Sequence, residues 1–199
     1  SSAMELVLVR HARPHRIENA AHAVDPDLTE FGHRQAAAAA DWLADESFDA
    51  VYTSPMARAR QTAAPLETAT GLSAGVIDGV QEYDADANHY IPIEDLKADR
   101  ERWRAFIESN RTEDRSTFAD TVVDSIEDLI GRHRGDRIAI VCHGGVINVW
   151  AARVLGIGPD MFFEPDYTSI NRFMAASSGE RSVVSLNEVG HLRILRSSG

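Results

Sequence analysis

Two short apolar runs constrain this chain more than anything else in it. Met4 to Val9 (MELVLV) and Ile138 to Cys142 (IAIVC) lack the polar alternation of a half-exposed strand. Such runs suit strands buried on both faces, as in a parallel sheet covered by helices. Between and after them, helical and extended segments alternate. Thr29 to Ala44 reads as a helix with Thr29 as N-cap, and Ala50 to Thr53 as a short strand. Ser54 at N-cap and Pro55 at N1 start a second helix that runs through Met56 to Thr70 and stops at Gly71. Val76 to Val80 is a weak strand or loop. Phe118, Val122, Ile126, Leu129 and Ile130 mark a further helix, and Val146 to Leu155 another, broken at Gly156 to Pro159. Ser169 to Ala175, Ser182 to Asn187 and His191 to Leu195 read as late strands. The order predicts an α/β fold, a three-layer α/β/α sandwich whose central sheet is mixed but mostly parallel. Gly32, inside the first helix, costs about 1 kcal/mol relative to Ala, so close packing is expected there.

With 44% hydrophobic residues in 199, the chain can bury a proper core. One domain over 4–199 is expected, with Ser1 to Ala3 read as added residues ahead of a natural start at Met4. From Glu82 to Ser116 the composition turns charged and aromatic. Ile93, Leu96, Trp103, Phe106 and Ile107 recur there at helical spacing, so this stretch is predicted to be a small lid built on an amphipathic helix. Twenty Lys and Arg against 31 Asp and Glu give a net charge of −11, which argues against a nucleic-acid or membrane-surface partner. An anionic small substrate stays open, because a few placed arginines outweigh the global charge locally. Cys142 is the single cysteine, so an internal disulfide and a cysteine-based zinc cage are both ruled out. No apolar run reaches the ~18 residues of a membrane span. A cytoplasmic location is expected, while oligomeric state is not legible. Lys97 is the lone lysine, so arginine by itself is weak evidence of function in this chain.

In open α/β sheets, ligands bind beyond the carboxyl ends of the strands. Three polar signatures fall at such ends: Arg10-His11, Ser54-Pro55 with Arg58 in the following first turn, and His143-Gly144-Gly145. If those strands are neighbours, two imidazoles and two guanidiniums share one crevice, a set that calls for a bound anion. A phosphoryl group matches best, because guanidinium forks and helix-start N–H groups, that of Gly144 among them, suit its oxygens. A neutral histidine among cations is a competent nucleophile that divides one hard displacement into two easier ones. The leaving oxygen then needs a proton, for which Glu82 is the leading candidate and Asp84 the second. Glu67 and Asp86 are the other carboxylates nearby.

LVRHARP (Leu8 to Pro14), DLTEFGHRQA (Asp27 to Ala36), TSPMARARQTA (Thr53 to Ala63) and VCHGGVI (Val141 to Ile147) together resemble the histidine phosphatase superfamily, which includes the cofactor-dependent phosphoglycerate mutases. The resemblance implies that His11 is the phosphorylated nucleophile and that Arg10, Arg58 and His143 form the phosphate pocket. It also implies that Glu82 donates a proton to the leaving group and then activates water, with no metal and no cofactor. The first motif departs from the family's usual RHG followed by Thr or Ser, reading Arg10-His11-Ala12-Arg13-Pro14, which alters the pocket rim.

Arg13 is therefore a candidate substrate contact. With His15, Arg16 and His22 it either meets a second anionic group or belongs to a solvated loop. His89 and Tyr90 either contact substrate or pack the lid. Cys142, Trp42, Trp103 and Trp150 read as packing residues, and His33, His133 and His191 as surface or structural. The expected activity is metal-independent phosphomonoester hydrolysis on a small phosphorylated metabolite. A phosphoglycerate mutase-type transferase and a low-turnover phosphate-binding protein are the alternatives.

Overall fold

A computed structural model describes residues 3–112, 114–158 and 161–196. Ser1 and Ser2 of the expected leader, Glu113 of the expected lid and Pro159 of the expected helix break lie outside them. Six strands form one sheet in the order β3-β2-β4-β1-β5-β6. They are β1 (Met4–Arg10), β2 (Ala50–Thr53), β3 (Gly75–Val76), β4 (Arg137–Cys142), β5 (Ile170–Ala175) and β6 (Arg181–Glu188). β1 pairs β4, β4 pairs β2 and β2 pairs β3 in parallel, whereas β5 and β6 run antiparallel. The sheet is mixed, as expected.

The two apolar runs became the centre of that sheet because each strand faces a core on both sides. Leu6, Leu8, Ile138 and Ile140 point to one layer, with α5 (Ser116–Arg132) and α6 (Gly144–Leu155) over them. Val7, Val9, Ala139 and Val141 point to the other, against α1 (Glu30–Leu43) and α2 (Ala57–Thr70). Full burial of each such aliphatic side chain contributes about 1.5–3 kcal/mol. The three-layer sandwich follows. Among the described residues, no helix is long and apolar enough to cross a membrane.

Local signals place most boundaries. Thr29 caps α1, its hydroxyl accepting from the Gly32 N–H at 3.0 Å. Gly32 is there for clearance: a Cβ on it would stand 2.2 Å from the carbonyl oxygen of Arg13, in the loop that follows β1. Gly32→Ala is thus expected to destabilise the protein by about 1–3 kcal/mol through overpacking, although Ala gains about 1 kcal/mol in helix propensity. Urea unfolding checks this. An unchanged midpoint would mean that the Arg13 loop is not pinned by α1.

Four expectations are corrected. The second helix begins at Ala57, not at Pro55, with Met56 still extended. The oxygen of Ser54 is taken by His143 Nε2 and the Met56 N–H, and Asp25, far away in sequence, accepts from the Ala57 N–H at 2.8 Å. The amphipathic segment is two helices, α3 (Ile93–Ala98) and α4 (Arg100–Thr112). Asp99 breaks them with extended backbone, and its carboxylate accepts from the N–H groups of Glu101 and Arg102. His191 to Leu195 is not a strand but a 3-10 turn leading into α7 (Arg193–Arg196), because the turn brings His191 inward to the Thr168 hydroxyl at 3.0 Å. Trp42 also differs from its reading as packing. It is 51% exposed and lies across Gly190 and the ring of His191.

Candidate active site

β4 lies between β1 and β2, so the three polar strand ends stand side by side. The ladder continues one residue past each outer strand: the His11 N–H donates to the Cys142 carbonyl at 2.9 Å and the Ser54 N–H to the Val141 carbonyl at 3.0 Å. That register sets the rings of His11 and His143 5.1 Å apart. Arg58 comes from the first turn of α2 and reaches back to His11, with Nε 3.3 Å from His11 Nε2. Arg10, His11 and Arg58 line a cavity of about 350 Å³ together with Glu82, Gly144 and Gly145. His143 is wholly buried just behind them.

A hydrogen bond fixes the state of the His11 imidazole. His11 Nδ1 lies 2.7 Å from the Ala12 carbonyl, which can only accept, so Nδ1 carries the proton. The lone pair is left on Nε2, the atom that Arg58 addresses. Burial, reinforced by Arg58, His143 and Arg10, holds the His11 pKa well below its ordinary value. Ser54 Oγ already accepts from the Met56 N–H and is 2.8 Å from His143 Nε2. When its hydroxyl donates to Nε2, the His143 proton resides on Nδ1. Burial, then Arg58 and Arg10, also hold His143 neutral. His143 Nδ1 and Arg10 Nε are buried and have no hydrogen-bond partner. Leaving a buried donor unsatisfied costs about 1–3 kcal/mol, so these two suit an anion that accepts from both.

Neighbouring groups hold the cations in place. Arg10 Nη1 donates to the Pro165 carbonyl at 2.6 Å, and its guanidinium lies 4.2 Å from the centre of the Tyr167 ring. The Arg58 guanidinium lies 4.9 Å from the Tyr90 ring, and the two phenol oxygens are 3.2 Å apart. The Thr62 hydroxyl donates to the Arg58 carbonyl and accepts from the Ala12 N–H, tying α2 to the His11 loop. Thr168, at φ 57°, gives its N–H to the Arg10 and His11 carbonyls. A β-branched residue in left-handed backbone is strained, and here it lies directly against the two cavity residues at the end of β1.

Glu82 enters from the other side. Its carboxylate accepts from the N–H of Gly145 and from that of Tyr83, both at 3.1 Å. Burial, then the nearby Asp84, pushes its pKa up. The second glycine of His143-Gly144-Gly145 exists for this contact, since a Cβ on Gly145 would stand 2.2 Å from Glu82 Oε1. Asp84 lines the same cavity, whereas Glu67 accepts from the Ala74 N–H at the far end of α2.

Arg13 does not join the cavity wall. Its backbone is engaged by Gln35 and Thr29 of the α1 region. Arg16 forms ion pairs with Glu18 and Asp95, a structural use. His89 and Tyr90 both line the cavity. Cys142 is buried in the opposite core layer, where burial pushes its thiol pKa up. Sequence reasoning missed Tyr167, Pro165, Thr62 and Arg115, the last lining the cavity with its guanidinium 4.0 Å from the Tyr83 ring. Tyr167 and Pro165 sit in an aperiodic loop with no local signal. The pairing of a Tyr with each pocket arginine exists only in three dimensions.

Fold and site together define an α/β/α protein with a cationic crevice at the ends of β1, β2 and β4. Residues 6–189 match the family model for the histidine phosphatase superfamily (branch 1). The chain belongs to that family. A metal-independent phosphoserine phosphatase of Arabidopsis thaliana is 30% identical over 172 residues, spanning 77% of this chain and 70% of the plant protein. A probable phosphoglycerate mutase, GpmB, of Yersinia enterocolitica is 25% identical over 167 residues, 78% of this chain and 77% of that one. Among solved structures, a mycobacterial glucosyl-3-phosphoglycerate phosphatase superposes with a TM-score of 0.74 at 21% identity, covering 94% of this chain and all of the other. At that identity it bears on the fold alone.

Proposed function

We propose that this protein is a metal-independent phosphomonoester hydrolase for a small phosphorylated metabolite, working through phosphorylated His11. One observation carries the reading: His11 bears its proton at Nδ1, so Nε2 is unprotonated and accepts from Arg58 Nε, with the buried, unpartnered Arg10 Nε and His143 Nδ1 alongside. Metal independence is supported by the Arabidopsis relative, a metal-independent phosphoserine phosphatase. Residues 82–116 act as the lid of a single domain. A cytoplasmic site of action belongs to the same proposal, supported by a lone buried thiol that has no need of an oxidising compartment.

The steps balance with these residues alone. His11 Nε2 attacks phosphorus as the P–O bond to the alcohol breaks, and the departing oxygen takes the proton of Glu82. The positive charge that develops on the imidazole is met by the Ala12 carbonyl at Nδ1. Arg10, Arg58, His143 Nδ1–H and the Gly144 N–H at the start of α6 hold the phosphoryl oxygens. Glu82, now a carboxylate, takes a proton from water. The water oxygen attacks phosphorus, and the P–N bond breaks back to Nε2.

The test is release of inorganic phosphate from 4-nitrophenyl phosphate and from alkyl phosphates. Turnover is expected to be unaffected by EDTA and blocked by vanadate, whose trigonal-bipyramidal form resembles the displacement transition state. Activity lost to EDTA and restored by Mg²⁺ would overturn the proposal. Interconversion of 2- and 3-phosphoglycerate after priming by a bisphosphate, with little phosphate release, would place the enzyme among the mutases.

The pH profile has a defined sign. His11 must be neutral to attack, and its lowered pKa keeps it so as pH falls past 6.5. The acid limb of kcat/KM is thus expected well below pH 6.5. Glu82 must be protonated to assist an alkoxide, and its raised pKa moves loss of that proton to higher pH. An alkyl phosphate is expected to show this alkaline fall and 4-nitrophenyl phosphate much less of it. An acid limb at 6.5 or above, after correction for the substrate's own ionisation, would contradict the state assigned to His11.

A further inference from the structure

The lining of the cavity beside His11 is of two kinds. One is the charged end formed by Arg10, His11, Arg58 and Glu82. The other is built by Ile91, Ile93, Leu96, Phe106 and Met161, from the 82–116 segment and the loop after α6. These side chains are not core. α3 has no buried residue at all, and Ile93 and Leu96 are left half-buried with the cavity in front of them. The charged groups in this lining are mixed: Asp84 and Glu164 are carboxylates, the latter ion-paired with Lys97, and Arg115, laid on the face of Tyr83, is a cation.

Resting on the phosphatase reading above, we propose that the alcohol half of the substrate presents an apolar ring or branched chain to Leu96, Ile93, Phe106 and Met161. Ligand pockets combine an apolar lining with a few convergent polar groups, and this cavity has both. The phosphoryl group takes the polar end and the leaving group takes the apolar wall. One or two methylenes in a matched pocket change kcat/KM by about 10- to 200-fold, so selectivity of that order is expected from this wall.

The experiment compares benzyl phosphate and isopentyl phosphate with 3-phosphoglycerate and phosphoserine, all esters of poorly leaving alkoxides. It also compares binding of benzylphosphonate with that of methylphosphonate, which no step of the reaction can cleave. The wild-type enzyme is expected to favour benzyl phosphate at least tenfold in kcat/KM, and benzylphosphonate at least tenfold in Kd. Leu96→Asn is expected to cut both ratios about tenfold. Turnover that favours 3-phosphoglycerate or phosphoserine, or equal binding of the two phosphonates, overturns the apolar-wall proposal and leaves the phosphatase reading standing. Tight benzylphosphonate binding without turnover of any ester supports the wall and overturns the phosphatase reading. Because the phosphonate comparison uses the unaltered protein, it decides the matter even if Leu96→Asn does not fold.

Discussion

Replacing His11 by alanine is expected to lower kcat/KM for every phosphomonoester by about 10⁴- to 10⁶-fold, the range found when a nucleophile is removed from an otherwise intact site. The loss should be independent of leaving group, since no ester can bypass a missing attacking atom. Folding should be little affected. The histidine ring makes two hydrogen bonds, donating to the Ala12 carbonyl and accepting from Arg58 Nε, each worth about 1 kcal/mol, a loss the rest of the buried core can bear. Steady-state kinetics on 4-nitrophenyl and alkyl phosphates, beside a thermal melt, checks both halves. Retention of more than a tenth of the activity in a folded variant would place the nucleophile elsewhere.

Glu82→Gln has a different signature. The amide can neither give a proton to an alkoxide nor take one from water, so kcat/KM for alkyl phosphates should fall by about 10²- to 10⁴-fold. For 4-nitrophenyl phosphate the leaving oxygen needs no proton, and kcat/KM, which reports the first chemical step, should change little. Its kcat should nevertheless fall, because hydrolysis of the phosphoenzyme still needs the base. A burst of 4-nitrophenol followed by slow turnover is therefore expected. Gly145→Ala is a companion to it, since the added Cβ displaces the Glu82 carboxyl, and it should show a weaker form of the same pattern. Equal losses on alkyl and aryl esters, with no burst, would transfer the acid's role to another group, with Asp84 first in line.

These residues differ in how far the sequence alone exposed them. His11 and His143 are legible because each follows a short apolar run that suits a buried strand, and the end of such a strand is where a ligand crevice opens. Arg58 was legible from its place in the first turn after a third strand. Gly32 was correctly read as a packing glycine, although its partner, the Arg13 carbonyl, was not foreseeable. Ser54 misled, because Ser-Pro is a strong helix start in isolation, yet His143 Nε2 competes for the same hydroxyl. Asp99 was passed over because apolar spacing continues across it, while its carboxylate satisfies the N–H groups of the next helix. Tyr167 and Pro165 left no trace in the sequence, since an aromatic face against a guanidinium and a carbonyl accepting from it are tertiary contacts. The place of Arg13 in the motif suggests a substrate contact, but its backbone supports α1 and it is not on the cavity wall.

The central claim is a bond between phosphorus and Nε2 of His11, and it can be trapped. Glu82→Gln enzyme mixed with ³²P-labelled 4-nitrophenyl phosphate and quenched in base, which preserves P–N bonds, should carry one phosphoryl group on the peptide containing His11. Label should be absent from the His11→Ala/Glu82→Gln double variant. Label on a carboxylate, on His143, or undiminished in the double variant would contradict the account.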